Sequence, residues 1–182
     1  MKRTVYRLIL LCWFSVILGG CDALITPTPP MATVSTVDLE RFMGDWYVMA
    51  NIPSLFDEGA FNAIKRYRLR EDGSVEVLLS FREGGVTGIP KHHKARAFIQ
   101  DDSGAQWRIR PLWPSRFEYL LIYLSDDYTH AVIGRSKRDH VWILSRRPVL
   151  ADNEYQRILA ILDEHGYDTQ QVQKIGQSWP ER

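Results

Sequence analysis

Residues 61–100 read FNAIKRYRLREDGSVEVLLSFREGGVTGIPKHHKARAFIQ, and a two-residue alternation runs through most of them. From Phe61 to Arg70 it puts Phe61, Ala63, Lys65, Tyr67 and Leu69 on one face and Ile64, Arg66, Arg68 and Arg70 on the other. Glu71-Asp72-Gly73 reverses the chain, and a second run from Ser74 to Phe81 presents Val75, Val77, Leu79 and Phe81. A third spans Lys91 to Gln100, with Ala95, Ala97 and Ile99 in phase. Working outward, the same rhythm predicts strands over Trp46 to Ile52, Gln106 to Leu112, Phe117 to Leu124, Thr129 to Gly134 and Val141 to Arg146. Turns are marked by Asp101-Asp102-Ser103-Gly104, Ser125-Asp126-Asp127 and Ser136-Lys137-Arg138-Asp139. Eight strands joined by short reversals predict an all-β, up-and-down antiparallel barrel. Closure removes its edges, and eight strands leave room for side chains or one small ligand.

One segment breaks the rhythm. Asp152 to His165 sets Tyr155, Ile158, Leu159 and Leu162 on one face at helical spacing, so an amphipathic α-helix packed on the barrel wall is predicted near the C-terminus. A short helical turn is predicted over Asp38 to Met43, plugging one barrel end. The chain has 182 residues, 45% of them hydrophobic, with a net charge of +1, which suits one domain and offers no broad basic field for nucleic acid. Its 2 cysteines, Cys12 and Cys21, are too few for a disulfide scaffold or a four-thiolate zinc site.

The N-terminus reads as an address. Lys2, Arg3 and Arg7 precede an apolar run, Leu8 to Leu18, that is too short to span a bilayer but suits a cleaved secretory signal. Leu18-Gly19-Gly20-Cys21 resembles the lipobox of bacterial lipoproteins. That resemblance implies removal of residues 1–20 as a signal peptide, with Cys21 lipidated (palmitate among its acyl chains) as the first mature residue, an effectively permanent membrane anchor. Residues 21–37 then form an expected flexible Thr/Pro tether, and residues 38–182 the folded domain. Processing would discard three cations, so +1 becomes −2 over 162 residues. Asp22 directly after the lipidated cysteine implies inner-membrane retention in some bacteria.

Three patches carry a further resemblance. Gly44-Asp45-Trp46-Tyr47 looks like the Gly-x-Trp-Tyr motif of the lipocalins, Asp127-Tyr128 before Thr129 resembles their second patch, and Trp142 to Pro148 their third. In order and separation the patches span residues 38 to 178, and with the lipobox they resemble the bacterial lipocalin lipoproteins of the envelope, a group related to apolipoprotein D. The resemblance implies that Gly44, Trp46, Asp127, Tyr128 and Arg146 are scaffold residues, with the Arg146 guanidinium covering the Trp46 indole. It implies a lipid-anchored protein facing the periplasm, at the outer membrane, with Asp22 raising the inner membrane as the alternative. The expected function is binding, storage or transport of a hydrophobic ligand, a fatty acid or lysophospholipid.

Strand parity nominates Ala63, Lys65, Tyr67, Val77, Leu79, Ala95, Ala97, Trp107, Tyr119, Leu121 and Tyr123 as the cavity lining. Small alanines beside large rings leave space for an acyl chain. Two readings of Lys65 stay open: it meets a carboxylate or phosphate with help from the hydroxyls of Tyr119 or Tyr123, or it snorkels to the barrel rim. The loop from Asn51 to Ala60, carrying Ile52, Leu55 and Phe56, is either a lid or a membrane-facing segment, the lid being the preferred reading, and Glu83 to Pro90 is a candidate flexible lip. Pro111-Leu112-Trp113-Pro114 is the candidate contact for a homodimer. No zinc-protease, serine-hydrolase, Cys-x-x-Cys or phosphate-loop motif occurs, so no enzyme, cofactor or metal is expected. Adjacent His92 and His93 face opposite sides of a strand and do not share an ion. Two alternatives remain: a structural or interaction lipoprotein with a filled barrel, and a lipocalin-like enzyme acting on a hydrophobic substrate.

Overall fold

The computed structural model describes residues 30–55, 57–111 and 114–179. The signal peptide, Cys21, the first part of the tether, Phe56 and the Leu112-Trp113 pair lie outside the described residues. A four-residue helix, α1 (Leu39–Phe42), leads into β1 (Gly44–Ile52), β2 (Ala60–Leu69), β3 (Val75–Glu83) and β4 (Ile89–Ile99). Then come β5 (Gln106–Arg110), β6 (Phe117–Leu124), β7 (His130–Gly134) and β8 (Val141–Ser145). Each strand pairs antiparallel with the next, and β1 pairs with both β2 and β8, which closes the barrel. Helix α2 (Asp152–Glu164), a 3-10 turn (Thr169–Gln171) and a short β9 (Gln173–Lys174) follow.

Two apolar layers result. Inside the barrel, Trp46, Val48, Ala63, Tyr67, Val75, Val77, Ala97, Trp107, Tyr119, Leu121 and Ile133 form one buried cluster. Outside it, Ile52, Leu120, Ile122, Val132 and Ile143 pack beneath Tyr155, Ile158 and Leu162 of α2. Strand parity therefore buries both faces of the wall that α2 covers.

Bulges reset that parity in three places. In β6 the register shifts between Leu121 and Tyr123. Tyr119 and Leu121 point inward, but Tyr123 belongs to the outer layer, where its hydroxyl accepts a hydrogen bond from Arg157 of α2. The lumen assignment of Tyr123 is corrected accordingly: an inserted residue flips every side chain after it. In β2 the shift lies between Phe61 and Ile64, with Asn62 at φ 48°. Phe61 consequently faces away from the lumen and packs so closely on Gly176 that a Cβ there would sit 2.8 Å from its ring. In β1 the shift between Val48 and Ala50 carries Ala50 and Ile52 into the outer layer.

The first and last described segments complete the wall. Met31 and Val37 are buried, and the Val34 and Val37 amides donate to the carbonyls of Leu121 (3.0 Å) and Ser103 (2.8 Å), so the stretch read as the end of a flexible tether is tied to the barrel. β1 pairs with β2 only through Gly44 to Tyr47, and the C-terminal segment fills the seam above. There β9 pairs with Ala50 and Asn51, the Ile175 amide donates to Met49 at 2.9 Å, and Gln177 donates to the Val48 carbonyl at 2.8 Å. Asn62 and Ser178 exchange hydrogen bonds of 2.7 and 2.8 Å across the same seam.

Candidate functional site

Residues from each of the three sequence patches, Gly44 and Trp46, Asp127 and Tyr128, and Arg146, gather at one end of the barrel and shut it. Phe42 of α1 is fully buried, with ring centroids 5.0 Å from Trp46, 5.2 Å from Tyr67 and 5.7 Å from Trp107. The Trp46 indole N–H donates to the Phe42 carbonyl at 2.8 Å. Arg146 stacks its guanidinium 3.8 Å from the Trp46 ring and donates to the carbonyls of Arg41, Phe42, Met43 and Asp45 at 2.8 to 3.0 Å. Gly44 lies beneath that fork at φ +95°, a conformation that favours glycine, and a Cβ there would press on Arg146 Nη1 at 3.3 Å. Tyr128, at φ 59°, accepts from the Asp38 amide at 2.8 Å and lies 4.1 Å from the Arg41 guanidinium. Asp127 accepts from Ser125 Oγ and from the amide and hydroxyl of Thr129, and these hydrogen bonds hold its carboxyl down at about 2. These five residues build the plug, and none of them is among the residues that line the open cavity at the other end.

The opposite end is open. Between the β1–β2, β5–β6 and β7–β8 loops a cavity of about 520 Å³ descends into the barrel. Lys65, Val77, Leu79, Ala95 and Tyr119 line it. Ala63, Tyr67, Ala97, Trp107 and Leu121 also point inward, but they belong to the packed core and not to the cavity lining, because aromatic rings fill the lower barrel. Sequence parity cannot tell a filled level from an empty one. It also left out Trp142, His93, Phe117 and Asp57, which line the walls together with charged residues such as Glu58, Glu118 and Arg135. His93 had a visible signal, sharing a register row with Lys65 and Leu79, whereas Asp57 comes from a loop and had none.

Lys65 is the chemical centre of the cavity. It is 4% exposed, so the rim reading is overturned: the middle of β2 holds it opposite Trp46 and Leu79, too deep to reach bulk water. Its Nζ lies 3.3 Å from the centroid of the Trp142 ring and donates to Tyr119 Oη at 3.3 Å. The Tyr119 hydroxyl in turn shares a short hydrogen bond with that of Tyr67. Burial lowers the Lys65 amine to about 7, a pull that the negative charge of Asp57 opposes only in part. The same burial pushes both tyrosine hydroxyls up, so they stay protonated. Tyr123, the other hydroxyl considered for this role, is on the far side of the wall.

Asp57 pins the β1–β2 loop over this chamber. It is 3% exposed; its Oδ1 accepts from the amide and hydroxyl of Ser54 at 2.7 and 2.6 Å, and its Oδ2 accepts from the Trp142 indole at 2.7 Å. Leu55, at the loop's tip, is 96% exposed beside the mouth.

A barrel plugged at one end and opening at the other onto an apolar chamber is a container for small hydrophobic molecules. The model of the Lipocalin-like domain matches residues 37–177, and the chain belongs to the lipocalin family. It is 30% identical over 162 residues to temperature-induced lipocalin-1 of Arabidopsis thaliana, covering 85% of this chain and 87% of that one. It is also 30% identical over 149 residues to outer membrane lipoprotein Blc of Citrobacter freundii, covering 81% and 84%. Among solved structures, insecticyanin of the tobacco hornworm Manduca sexta matches with a TM-score of 0.63 at 19% identity, over 82% of this chain and 86% of that one.

Proposed function

We propose that this protein is a lipid-anchored carrier of the bacterial envelope that stores or transports a single-chain anionic lipid, a fatty acid or a lysophospholipid. The observation that carries this reading is a deeply buried cation in an open, mostly apolar cavity whose other charged side chains include Asp57, Glu58, Lys94, Glu118 and Arg135. The chamber falls within the roughly 300 to 1,000 Å³ of typical ligand sites. Burying about ten methylenes there contributes roughly 8 kcal/mol gross. Lys65, with Tyr119 beside it, supplies the counter-charge for a carboxylate or phosphate, and its depth favours the compact carboxylate. The open chamber weighs against the filled-barrel alternative.

Titration of a fluorescent fatty acid into wild type and K65A tests the site. A charge-assisted hydrogen bond contributes about 1.5–3 kcal/mol, so K65A is expected to bind about 10- to 100-fold more weakly. In wild type alone, affinity falls as the pH is raised above about 7, where Lys65 loses its charge. Equal affinities in the two proteins would remove Lys65 from the site.

The anchor rests on Leu18-Gly19-Gly20-Cys21 and on relatives named as outer membrane lipoproteins. Palmitate labelling that C21A abolishes is the expected result. Membrane fractionation distinguishes the outer membrane from the inner-membrane retention that Asp22 would favour, and sedimentation tests the homodimer.

A further inference from the structure

A buried lysine in an apolar chamber is more than a counter-ion. Amines are nucleophiles only when neutral, and an ordinary lysine at pH 7 holds less than about one part in a thousand in that form. Lys65 is packed against Trp142 and Tyr119, and the negative charge of Asp57 in the overlying loop acts on it. Burial brings the amine to about 7, so near neutrality about half of it is free base. Lys65 lies deep in the cavity, beside walls that include Val77, Leu79 and Ala95, and the protonated Tyr119 hydroxyl stands 3.3 Å from Nζ. A nucleophile, a proton relay and an alkyl-binding wall therefore converge on one point.

We propose that Lys65 is a covalent capture site for long-chain aliphatic aldehydes, which enter the cavity alkyl chain and all and condense with its amine to an imine. This rests on the cavity's being a container for single-chain lipids. The Nζ lone pair attacks the aldehyde carbon, a C–N bond forms, and the amine proton passes to the former carbonyl oxygen to give a carbinolamine. The Tyr119 hydroxyl relays that proton and then donates to the departing hydroxyl. The C–O bond breaks, one water leaves, the second N–H proton is given up and a C=N bond remains. No oxidant or reductant is consumed, and Tyr119 is restored. The reaction is reversible with water, and an alkyl chain that fills the cavity above Lys65 would shield the adduct from it. Fatty acids and aldehydes of equal length would compete for the same chamber.

The test uses the purified full chain with dodecanal and sodium cyanoborohydride at pH 7, which converts an imine to a stable dodecyl amine. Intact mass and peptide mapping locate the label, and displacement of a fluorescent fatty acid is measured in parallel. Lys94 is the internal standard, since it lines the same cavity from an exposed position on β4. Because lower basicity also weakens each attack, the expected preference for Lys65 over Lys94 is about tenfold rather than a thousandfold. Excess fatty acid should suppress it. K65R keeps the charge but cannot form an imine, so it loses this label. Mapping is done on wild type, so the result does not depend on a variant's folding. Labelling of Lys65 no faster than Lys94, in a protein that still binds the fluorescent fatty acid, overturns covalent capture and leaves the container reading standing. Failure to bind the fatty acid as well overturns both.

Discussion

At the closed end one guanidinium, that of Arg146, stacks on Trp46 and donates to four carbonyls around α1. Those carbonyls end a helix too short to hold itself, so R146A is expected to cost about 3 kcal/mol in urea unfolding, from the lost cation–π contact and charge-assisted hydrogen bonds. R146K should recover less than half, because an ammonium has no planar fork. At the other end Lys65 titrates near 7 in the fold, against an ordinary value of 10.5. Between those values the unfolded chain holds one more proton at this site. Stability therefore rises with pH across that window by at most about 1.4 kcal/mol per unit, and the cost of burying the charge is fully present below about pH 7. The stability of K65M relative to wild type should accordingly fall as the pH is raised from 7 to 10. A difference that stays constant would mean that the buried amine titrates like an exposed one.

Among the elements, the β1–β2 loop is the one that governs access. One carboxylate ties it to the opposite wall, since Asp57 joins Ser54 within the loop to Trp142 on the barrel wall. D57A removes those acceptors without touching the core. We expect fatty-acid dissociation to accelerate about tenfold, in line with roughly 1.5 kcal/mol of lost loop closure, and amide exchange to quicken over residues 53–59. Stopped-flow displacement and hydrogen exchange read the two effects, and an unchanged off-rate would show that the loop does not gate the chamber. The C-terminal segment has the opposite task. By pairing at Ala50 and Asn51 and clasping Asn62, it seals the seam where β1 parts from β2, a role that its polar sequence, Gln173 to Ser178, does not announce.

For the molecule as a whole, a chamber of about 520 Å³ inside a closed barrel makes ligand length a measurable quantity. Each added methylene that finds room contributes about 0.8 kcal/mol, or about fourfold in Kd, until the space is full. Saturated fatty acids of rising length should raise the melting temperature stepwise and then level off, because ligand at a hundredfold excess over Kd adds about 2.7 kcal/mol of stability. A melting temperature indifferent to chain length would mean that the chamber does not hold the alkyl tail.

The strands, the helix on the wall, the plug and the motif residues Gly44, Trp46, Asp127, Tyr128 and Arg146 were legible in the sequence, because alternation, helical spacing, turn residues and short motifs are local and leave a local record. The inward direction of Lys65, Val77, Leu79, Ala95 and Tyr119 was legible for the same reason. Tyr123 and Phe61 were not, because each lies at a bulge, and a bulge is set by how two strands fit together rather than by either strand alone. The division of the lumen into a filled floor of Tyr67, Trp107 and Leu121 and an open chamber above it was equally hidden. Alternation states which way a side chain points; only the closed barrel, with Phe42 driven into its base and Asp57 drawn over its mouth, decides how much space is left and which charge is stranded inside it.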